Sequence, residues 1–166
     1  DFKPFMLAFI KGLLNDRIPD RVNFINAEFL AKERGIIIEY GANNEDGSYT
    51  NLINSCVVLD NMENMLDGSV FDGNQLRLVN ILGYDMDINP IGNLLFVKNE
   101  DVPGVIGKVG TLLGEYKINI GAYLLSNATE MDEAFAVIRL DTEIPSSVIQ
   151  LLIEIPEILS VQQIIC

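Results

Sequence analysis

The sequence has no histidine, and only two cysteines occur among its 166 residues. Without histidine, the usual general base and the Ser-His and Cys-His nucleophile systems are excluded, which leaves carboxylate, lysine or tyrosine chemistry. Cys56 and Cys166 are far apart and form no CxxC pair, so neither a disulfide framework nor a zinc site is indicated. No glycine-rich phosphate-binding loop follows a strand pattern. We therefore predict no metal site and no catalytic residue in this chain.

Long apolar runs and an excess of positive charge are also missing. The apolar runs are far shorter than the roughly 20 residues needed to span a bilayer, and no leader pattern opens the chain, so we expect a soluble, cytoplasmic protein without a membrane partner. The formal net charge is -13, which disfavours nucleic acid as a partner. Because the chain begins at Asp1 rather than at methionine, we expect a piece of a longer protein.

The chain does contain a clear order of secondary-structure patterns in its first half. "DFKPFMLAFIKGLL" has apolar residues at helical spacing, and "NAEFLAKERGI" predicts a second helix with Asn26 as N-cap and Gly35 beyond its end. The next segments are rich in β-branched residues and turn residues and predict a small sheet: "IIIEY", "YTNLINSCVVLD", "GSVF" and "QLRLVNILGYDMDI". The break "NPIGN" predicts a boundary between domains 1–92 and 93–166.

The second half predicts the order β-α-β-β-α-β, which is the ferredoxin-like unit. The fold class is therefore α+β, with a small α/β domain followed by the ferredoxin-like domain. Two helices would cover one face of an antiparallel sheet and leave the other face, or an edge, to a partner. Gly107, Gly110 and Gly114 weaken the first of these helices, and close packing is the simplest reason for their presence.

The start of that helix has the groups needed to hold a small zwitterion. Pro103 suits the first helical position, which would leave the N-H groups of Gly104 and Val105 free to bind a carboxylate. Asp101 could pair with an ammonium group, and Asn119 can both donate and accept. These residue types together match the two charged ends of a free amino acid. Alternatively, Asp101 is only a helix-start aspartate and Asn119 only a turn residue.

The stretch "NEDVPGVIGKVGTLLGEYKINIGAYLL" on this frame resembles the ACT domain, an amino-acid-sensing module. Together with "VNFINAEFLAKERGI", nearly the whole chain resembles the C-terminal regulatory region of the D-3-phosphoglycerate dehydrogenase family, with an allosteric substrate-binding (intervening) domain before the ACT domain. The resemblance implies a homo-oligomer, joined through both domains, in which L-serine binds between paired ACT domains as feedback inhibitor. The implied serine contacts are Asn99 and Asp101, with Asn119 from the partner chain.

The resemblance also implies an anion site in the intervening domain, for which the basic candidates are Lys32, Arg34 and Arg77. The NAD-binding and catalytic domains of the family would precede Asp1, so no cofactor is expected within this chain. Two alternatives stay open: the corresponding region of an iron-sulfur L-serine dehydratase, and an oligomerisation module without a ligand. A stand-alone enzyme that uses carboxylates is disfavoured because no paired acids share a predicted pocket.

Overall fold

The computed structural model describes residues 1–42, 49, 51–127 and 132–166. They form two compact units, Asp1–Ser48 and Tyr49–Cys166. The predicted domain boundary between residues 92 and 93 separates two sheets of the second unit, whose compactness comes from the packing of one sheet on the other. None of the described helices is long and apolar enough to cross a bilayer.

The first unit is a pair of helices, α1 (Lys3–Leu14) and α2 (Ala27–Glu33). Asn26 occupies the N-cap position of α2 as predicted, and its Oδ1 accepts a hydrogen bond from the backbone N-H of Asn23 at 2.7 Å. The buried core of the unit is formed by Met6, Ile10, Leu14, Val22, Ala27, Leu30 and Ala31. The other apolar side of α1 is exposed, at Phe2, Phe5, Phe9 and Leu13.

The strand predicted at "IIIEY" does not form, since residues 36–40 have no strand partner among the residues that the structure describes. The Ile36 N-H instead donates to the carbonyl oxygen of Ala31 at 3.0 Å, directly after α2. Ile36 and Ile38 pack against the helical core of the first unit. The β-branched residues predict a strand here, whereas the fold packs Ile36 and Ile38 on helices, because residue composition does not say what covers an apolar residue.

The second unit begins with an antiparallel meander in the order β1-β2-β3-β4. The strands are β1 (Leu52–Leu59), β2 (Met62–Phe71), β3 (Gln75–Ile81) and β4 (Tyr84–Ile88). Short turns join the strands, with two residues after β1 and β3 and three residues after β2. Each turn contains two consecutive residues with positive φ: Asp60 and Asn61, Gly73 and Asn74, and Leu82 and Gly83. Such turns match the twist of a hairpin. The last of them divides the segment 75–88 into β3 and β4.

A second sheet follows, and it confirms the predicted β-α-β-β-α-β order. Its elements are β5 (Asn93–Glu100), α3 (Val105–Glu115), β6 (Ile120–Asn127), β7 (Glu133–Leu140), α4 (Ser146–Ile153) and β8 (Ile158–Ile165). The strand order is β6-β7-β5-β8, the antiparallel ferredoxin-like arrangement. Leu95, Val97 and Ile138 of the sheet belong to one buried cluster with Val109 of α3 and Leu152 of α4.

The face of this sheet without helices is covered by the meander. Ile81, Tyr84 and Ile88 form a buried cluster with Leu94, Phe135 and Val137. The rings of Tyr84 and Phe135 are stacked with centroids 5.1 Å apart. Of the two surfaces that we expected a partner to use, this face or an edge, the face is buried by the chain's own meander. The sheet still ends in two edge strands, β6 and β8.

Candidate functional site

The loop between β5 and α3, residues 101–104, is held by backbone hydrogen bonds at its start. The Asp101 N-H donates to the carbonyl oxygen of Asp132 at 2.9 Å, and the Glu100 N-H donates to that of Glu157 at 2.9 Å. Gly104 is the N-cap of α3 and has φ +102°, and the helix begins at Val105. The prediction that Pro103 is the first helical residue is therefore wrong. The positive φ of Gly104 is incompatible with a helical turn, so the helix cannot begin before Gly104.

The amide donors at the start of α3 are shifted by one residue from the prediction. The first N-H groups of a helix have no intrahelical acceptor, and here they begin at Val105 instead of Gly104. No side chain among the described residues caps this end of the helix. The end of a helix attracts a negatively charged group, since the helix dipole and the unpaired amides act together. Val105, which carries the first of these amides, is buried, with 2% exposure. The carboxylate-binding role of these amides stays a prediction.

Asn99 lies just before the loop and is almost fully buried, at 4% exposure. It is paired with Ala134 of β7. Its Nδ2 donates to the carbonyl oxygen of Glu100 at 2.7 Å, whereas its buried Oδ1 has no hydrogen-bond partner among the described residues. An unpaired buried acceptor is energetically costly. A ligand donor that reached this oxygen would remove that cost.

Asn119 is at the opposite end of the sheet from this loop within one chain. Ile120, at the start of β6, and Asn93, at the start of β5, both pair with Leu140 of β7. Asn99 pairs at the other end of β7, six residues further along β5, which corresponds to about 20 Å. The Asn119 N-H donates to Oδ1 of Asp141 at 3.2 Å. A single chain therefore does not bring Asn119 together with Asn99 and Asp101.

Two ion pairs lie on the flanks of the loop. Lys98 Nζ is 2.6 Å from Glu133 Oε2, and Lys108 Nζ is 2.5 Å from Glu157 Oε1. Hydrogen bonding to Glu133 raises the pKa of Lys98, although partial burial opposes this change. Hydrogen bonding to Lys108 lowers the pKa of Glu157. The charged forms of Lys98 and Glu157 are therefore favoured near neutral pH.

The three basic residues predicted to bind an anion each have an acidic partner. Lys32 pairs with Glu28 at 2.7 Å, Arg34 with Asp20 at 2.8 Å and Arg77 with Asp87 at 3.5 Å. Lys32 and Arg34 belong to the first compact unit, whereas Arg77 belongs to the second. Three separate ion pairs are described, and binding of an external anion would have to compete with each of these carboxylates.

Arg139 is a basic residue that the sequence reasoning missed. It is half-buried on the central strand β7, opposite Leu94 of β5. It has no hydrogen bond or ion pair among the described residues. A Cβ added at Gly121 of β6 would lie 3.9 Å from its Nε, so the side chain extends over this glycine. The signal in the sequence was a lone arginine inside the apolar strand "EAFAVIRL".

Comparison with known proteins identifies the relatives of this chain. Residues 1–82 match the model of the D-3-phosphoglycerate dehydrogenase intervening domain. The chain is 31% identical over 157 residues to D-3-phosphoglycerate dehydrogenase of Bacillus subtilis and 28% identical over 147 residues to that of Synechocystis sp.. By sequence, the chain is a relative of the C-terminal region of D-3-phosphoglycerate dehydrogenase.

The similarity to D-3-phosphoglycerate dehydrogenase extends to archaea, with 32% identity over 151 residues to the Methanocaldococcus jannaschii enzyme. The matches cover 95%, 89% and 91% of this chain but only 30%, 26% and 28% of the three enzymes, in the order given. The matched intervening domain ends at the turn between β3 and β4. The boundary at 92/93 stays a prediction.

A solved structure with a related shape is the ACT domain from GTP pyrophosphokinase of Chlorobium tepidum, with a TM-score of 0.37 and 13% identity. It covers 45% of this chain, and 97% of that domain is matched. The ferredoxin-like assignment rests on the strand order of the second sheet. No group of acidic or cysteine side chains among the described residues is placed to hold a metal ion.

Proposed function

We propose that this chain is a regulatory region of a D-3-phosphoglycerate dehydrogenase that binds L-serine between two copies of its ferredoxin-like domain, an ACT domain. Bound serine would act as feedback inhibitor, and the paired domains would help to hold the subunits together. The observation that carries this proposal is the position of Asn119, at the opposite end of the sheet from Asn99 and Asp101. A site that uses all three residues requires a second chain.

Antiparallel pairing of edge strand β6 with its copy would supply that second chain. β6 runs from the Asn119 end of the sheet to the end where Asn99 lies. In a two-fold pair of β6 strands, the start of one strand lies beside the end of the other. Asn119 of each chain would then approach the Asp101 loop of its partner, giving two equivalent sites in a dimer.

The chemistry of the loop suits a small amino acid. The ligand carboxylate would accept hydrogen bonds from the amides at the start of α3, and the ligand ammonium would pair with the Asp101 carboxylate. Asn119 of the partner would contribute an amide that can donate or accept, and the buried Asn99 oxygen offers an acceptor. The exposed Gly104 places no side chain over the amide donors.

The parent enzyme would carry the NAD site and the catalytic groups in the region of its chain that this sequence does not span, and it would work in the cytoplasm. This region would act on it thermodynamically. If serine binds one arrangement of the paired domains more tightly, it shifts the enzyme toward that arrangement, typically with about 1–3 kcal/mol of coupling.

Calorimetric titration of L-serine into this chain tests the proposal, with D-serine and glycine as controls. We expect saturable heat with L-serine at about one site per chain, because each interface has two equivalent sites, and weaker binding of both controls. Absence of heat with all three amino acids, on protein shown to be folded and paired, would favour an oligomerisation module without a ligand. The dehydratase alternative gains no support from the three reported relatives, which are all dehydrogenases.

Anion binding at Arg139 is a second candidate function, favoured by a half-buried guanidinium without an acidic partner among the described residues. Chemical-shift titration with inorganic phosphate tests it. We expect Arg139→Gln to abolish shifts around residues 121 and 139. Arg34→Gln tests the anion site predicted in the intervening domain by the same phosphate titration. Loss of phosphate binding in Arg34→Gln, and not in Arg139→Gln, would place the anion site in the first unit.

A further inference from the structure

The β5–α3 loop is anchored by backbone hydrogen bonds on two flanks, and each flank contains a glutamate that forms an ion pair. On one flank, the Asp101 N-H donates to the carbonyl oxygen of Asp132, the residue directly before Glu133. On the other flank, the Glu100 N-H donates to the carbonyl oxygen of Glu157 itself. The loop is therefore tied to the backbone of Asp132, the neighbour of Glu133, and to the backbone of Glu157.

Glu133 connects three strands from two different sheets. Its Oε2 is 2.6 Å from Lys98 Nζ of β5 and 3.5 Å from the hydroxyl oxygen of Tyr84 of β4. Tyr84 is only 4% exposed, and its ring is stacked on Phe135, two residues along β7 from Glu133. The long Tyr84 contact is the weaker of the two. Through it, the meander nevertheless reaches the residue next to the loop anchor.

On the second flank, Lys108 forms the ion pair with the glutamate, Glu157. Its Nζ is 2.5 Å from Oε1 of Glu157, and its backbone N-H donates to the carbonyl oxygen of Gly104 at 3.0 Å. One residue of α3 thus contacts both the end of the loop and the glutamate that anchors its beginning. The side chain of Lys108 is half exposed and that of Glu157 is about one-fifth exposed, so solvent screens this pair to a considerable degree.

We propose that Glu133 and Glu157 are positioning residues that hold the β5–α3 loop in its binding geometry, with Lys98 and Tyr84 fixing one and Lys108 fixing the other. The clamp is a property of the ligand-free chain. Only its effect on serine affinity rests on the proposed function. Because Tyr84 belongs to β4, the clamp also couples the loop to the meander.

Residue-resolved amide exchange by NMR on the ligand-free full chain tests the clamp. Lys98→Met should raise the exchange rate of the Asp101 amide about tenfold, because one hydrogen bond to a charged group is lost. The exchange rate of the Glu100 amide should not change. Lys108→Met should raise the exchange rate of the Glu100 amide and leave that of the Asp101 amide unchanged. Tyr84→Phe keeps the ring stacking and should raise exchange at Asp101 about twofold, as expected for a weak hydrogen bond.

Two control variants make the same chemical changes elsewhere. Lys3→Met breaks a 3.3 Å ion pair with Glu28 in the first unit, and Tyr116→Phe removes an exposed hydroxyl. Neither should change exchange at Glu100 or Asp101. The amide of Val97, inside β5, reports general loosening of the sheet. Equal increases at Glu100, Asp101 and Val97 in Lys98→Met, or unchanged Asp101 exchange in both Lys98→Met and Tyr84→Phe, would overturn the clamp.

Serine titrations of the same variants separate this proposal from the proposed function. If the wild-type chain binds L-serine, Lys98→Met and Lys108→Met should each weaken binding several-fold, whereas Lys3→Met should not. If the wild-type chain binds no serine but the exchange pattern holds, the clamp stands and the serine site fails. If serine binds equally to all variants while exchange at both amides is unchanged, the clamp fails and the serine site stands.

Discussion

Single residues determine how the β5–α3 loop enters the helix, and Gly104 is the clearest case. Its φ of +102° is accessible to glycine but strained for other residues. A substitution there therefore changes the backbone as well as the space above the amides. The sequence alone suggests that Gly104→Val would crowd a carboxylate bound at the start of α3. A binding measurement would not separate this crowding from the backbone strain.

A pair of alanine variants separates the conformational role of glycine from its size. We expect Gly104→Ala to lower the free energy of unfolding by about 1–2 kcal/mol, the cost of a side chain in a left-handed conformation. Gly110→Ala, inside α3, should raise it by about 0.5–1 kcal/mol because an added Cβ meets no atom within 4 Å. Urea unfolding measures both, and equal effects of one sign would contradict the conformational explanation.

Asp101 carries the most direct prediction about the ligand. Asp101→Ala should weaken L-serine binding by about 1.5–3 kcal/mol, the range for a hydrogen bond to a charged group, with little loss of fold. Asp72→Ala, at an exposed turn of the meander, is the control and should not change binding. Calorimetry measures both affinities. Unchanged affinity in Asp101→Ala would remove this residue from the site.

At the scale of elements, the two edges of the second sheet are not equivalent in the proposed assembly. β6 and β8 are both edge strands, and each exposes a leucine: Leu125 is 40% and Leu159 is 46% exposed. Unpaired strand edges readily pair with another chain. Only β6 begins beside Asn119, so only pairing through β6 would complete the serine site.

Matched lysine substitutions at the two edges test this difference. We expect Leu125→Lys to weaken self-association, since a charge would be placed at the β6 interface and repeated by symmetry. Leu159→Lys should leave the association state unchanged. Sedimentation or light scattering measures the mass of each variant over a range of concentrations. Dissociation by Leu159→Lys instead would assign the interface to β8 and separate Asn119 from the partner's loop.

At the scale of the whole molecule, the ion pairs give stability a pH dependence. Lys108 lowers the pKa of Glu157 below its ordinary value of 4.5. A carboxylate with a lowered folded-state pKa contributes stability above its unfolded pKa, and the contribution is lost as pH falls through the folded value. The wild-type chain should therefore be more stable than Lys108→Met near neutral pH, and this difference should shrink below pH 4.5.

Urea unfolding of the two proteins between about pH 7 and pH 3 measures that difference. Lys117→Met is the control, because Lys117 has no ion pair among the described residues and its substitution should give a difference that changes little with pH. The difference in free energy of unfolding between the wild type and each variant removes the general effect of net charge, because the proteins have nearly the same net charge. A pH-independent difference for Lys108→Met would show that the pair does not stabilise the fold.

The sequence by itself determined the elements whose apolar pattern and partner lie close together in the chain. The β-α-β-β-α-β order and the α2 N-cap position follow from local periodicity and turn chemistry, and both are confirmed. The stretches "VNFINAEFLAKERGI" and "NEDVPGVIGKVGTLLGEYKINIGAYLL" together indicated a resemblance to D-3-phosphoglycerate dehydrogenase, and the relatives confirm this resemblance. Asn99, Asp101 and Asn119 could be selected from residue type and resemblance, and their role in binding stays a prediction.

Only the tertiary structure decided which surfaces meet. The meander covers the sheet face without helices, Ile36 and Ile38 pack on helices, and Asn119 lies about 20 Å along the sheet from Asn99. The ion-paired flanks of the loop and the unpaired Arg139 also appear only in the fold. These features depend on contacts between residues distant in sequence, and local periodicity carries no information about which distant surface an apolar or charged side chain will face.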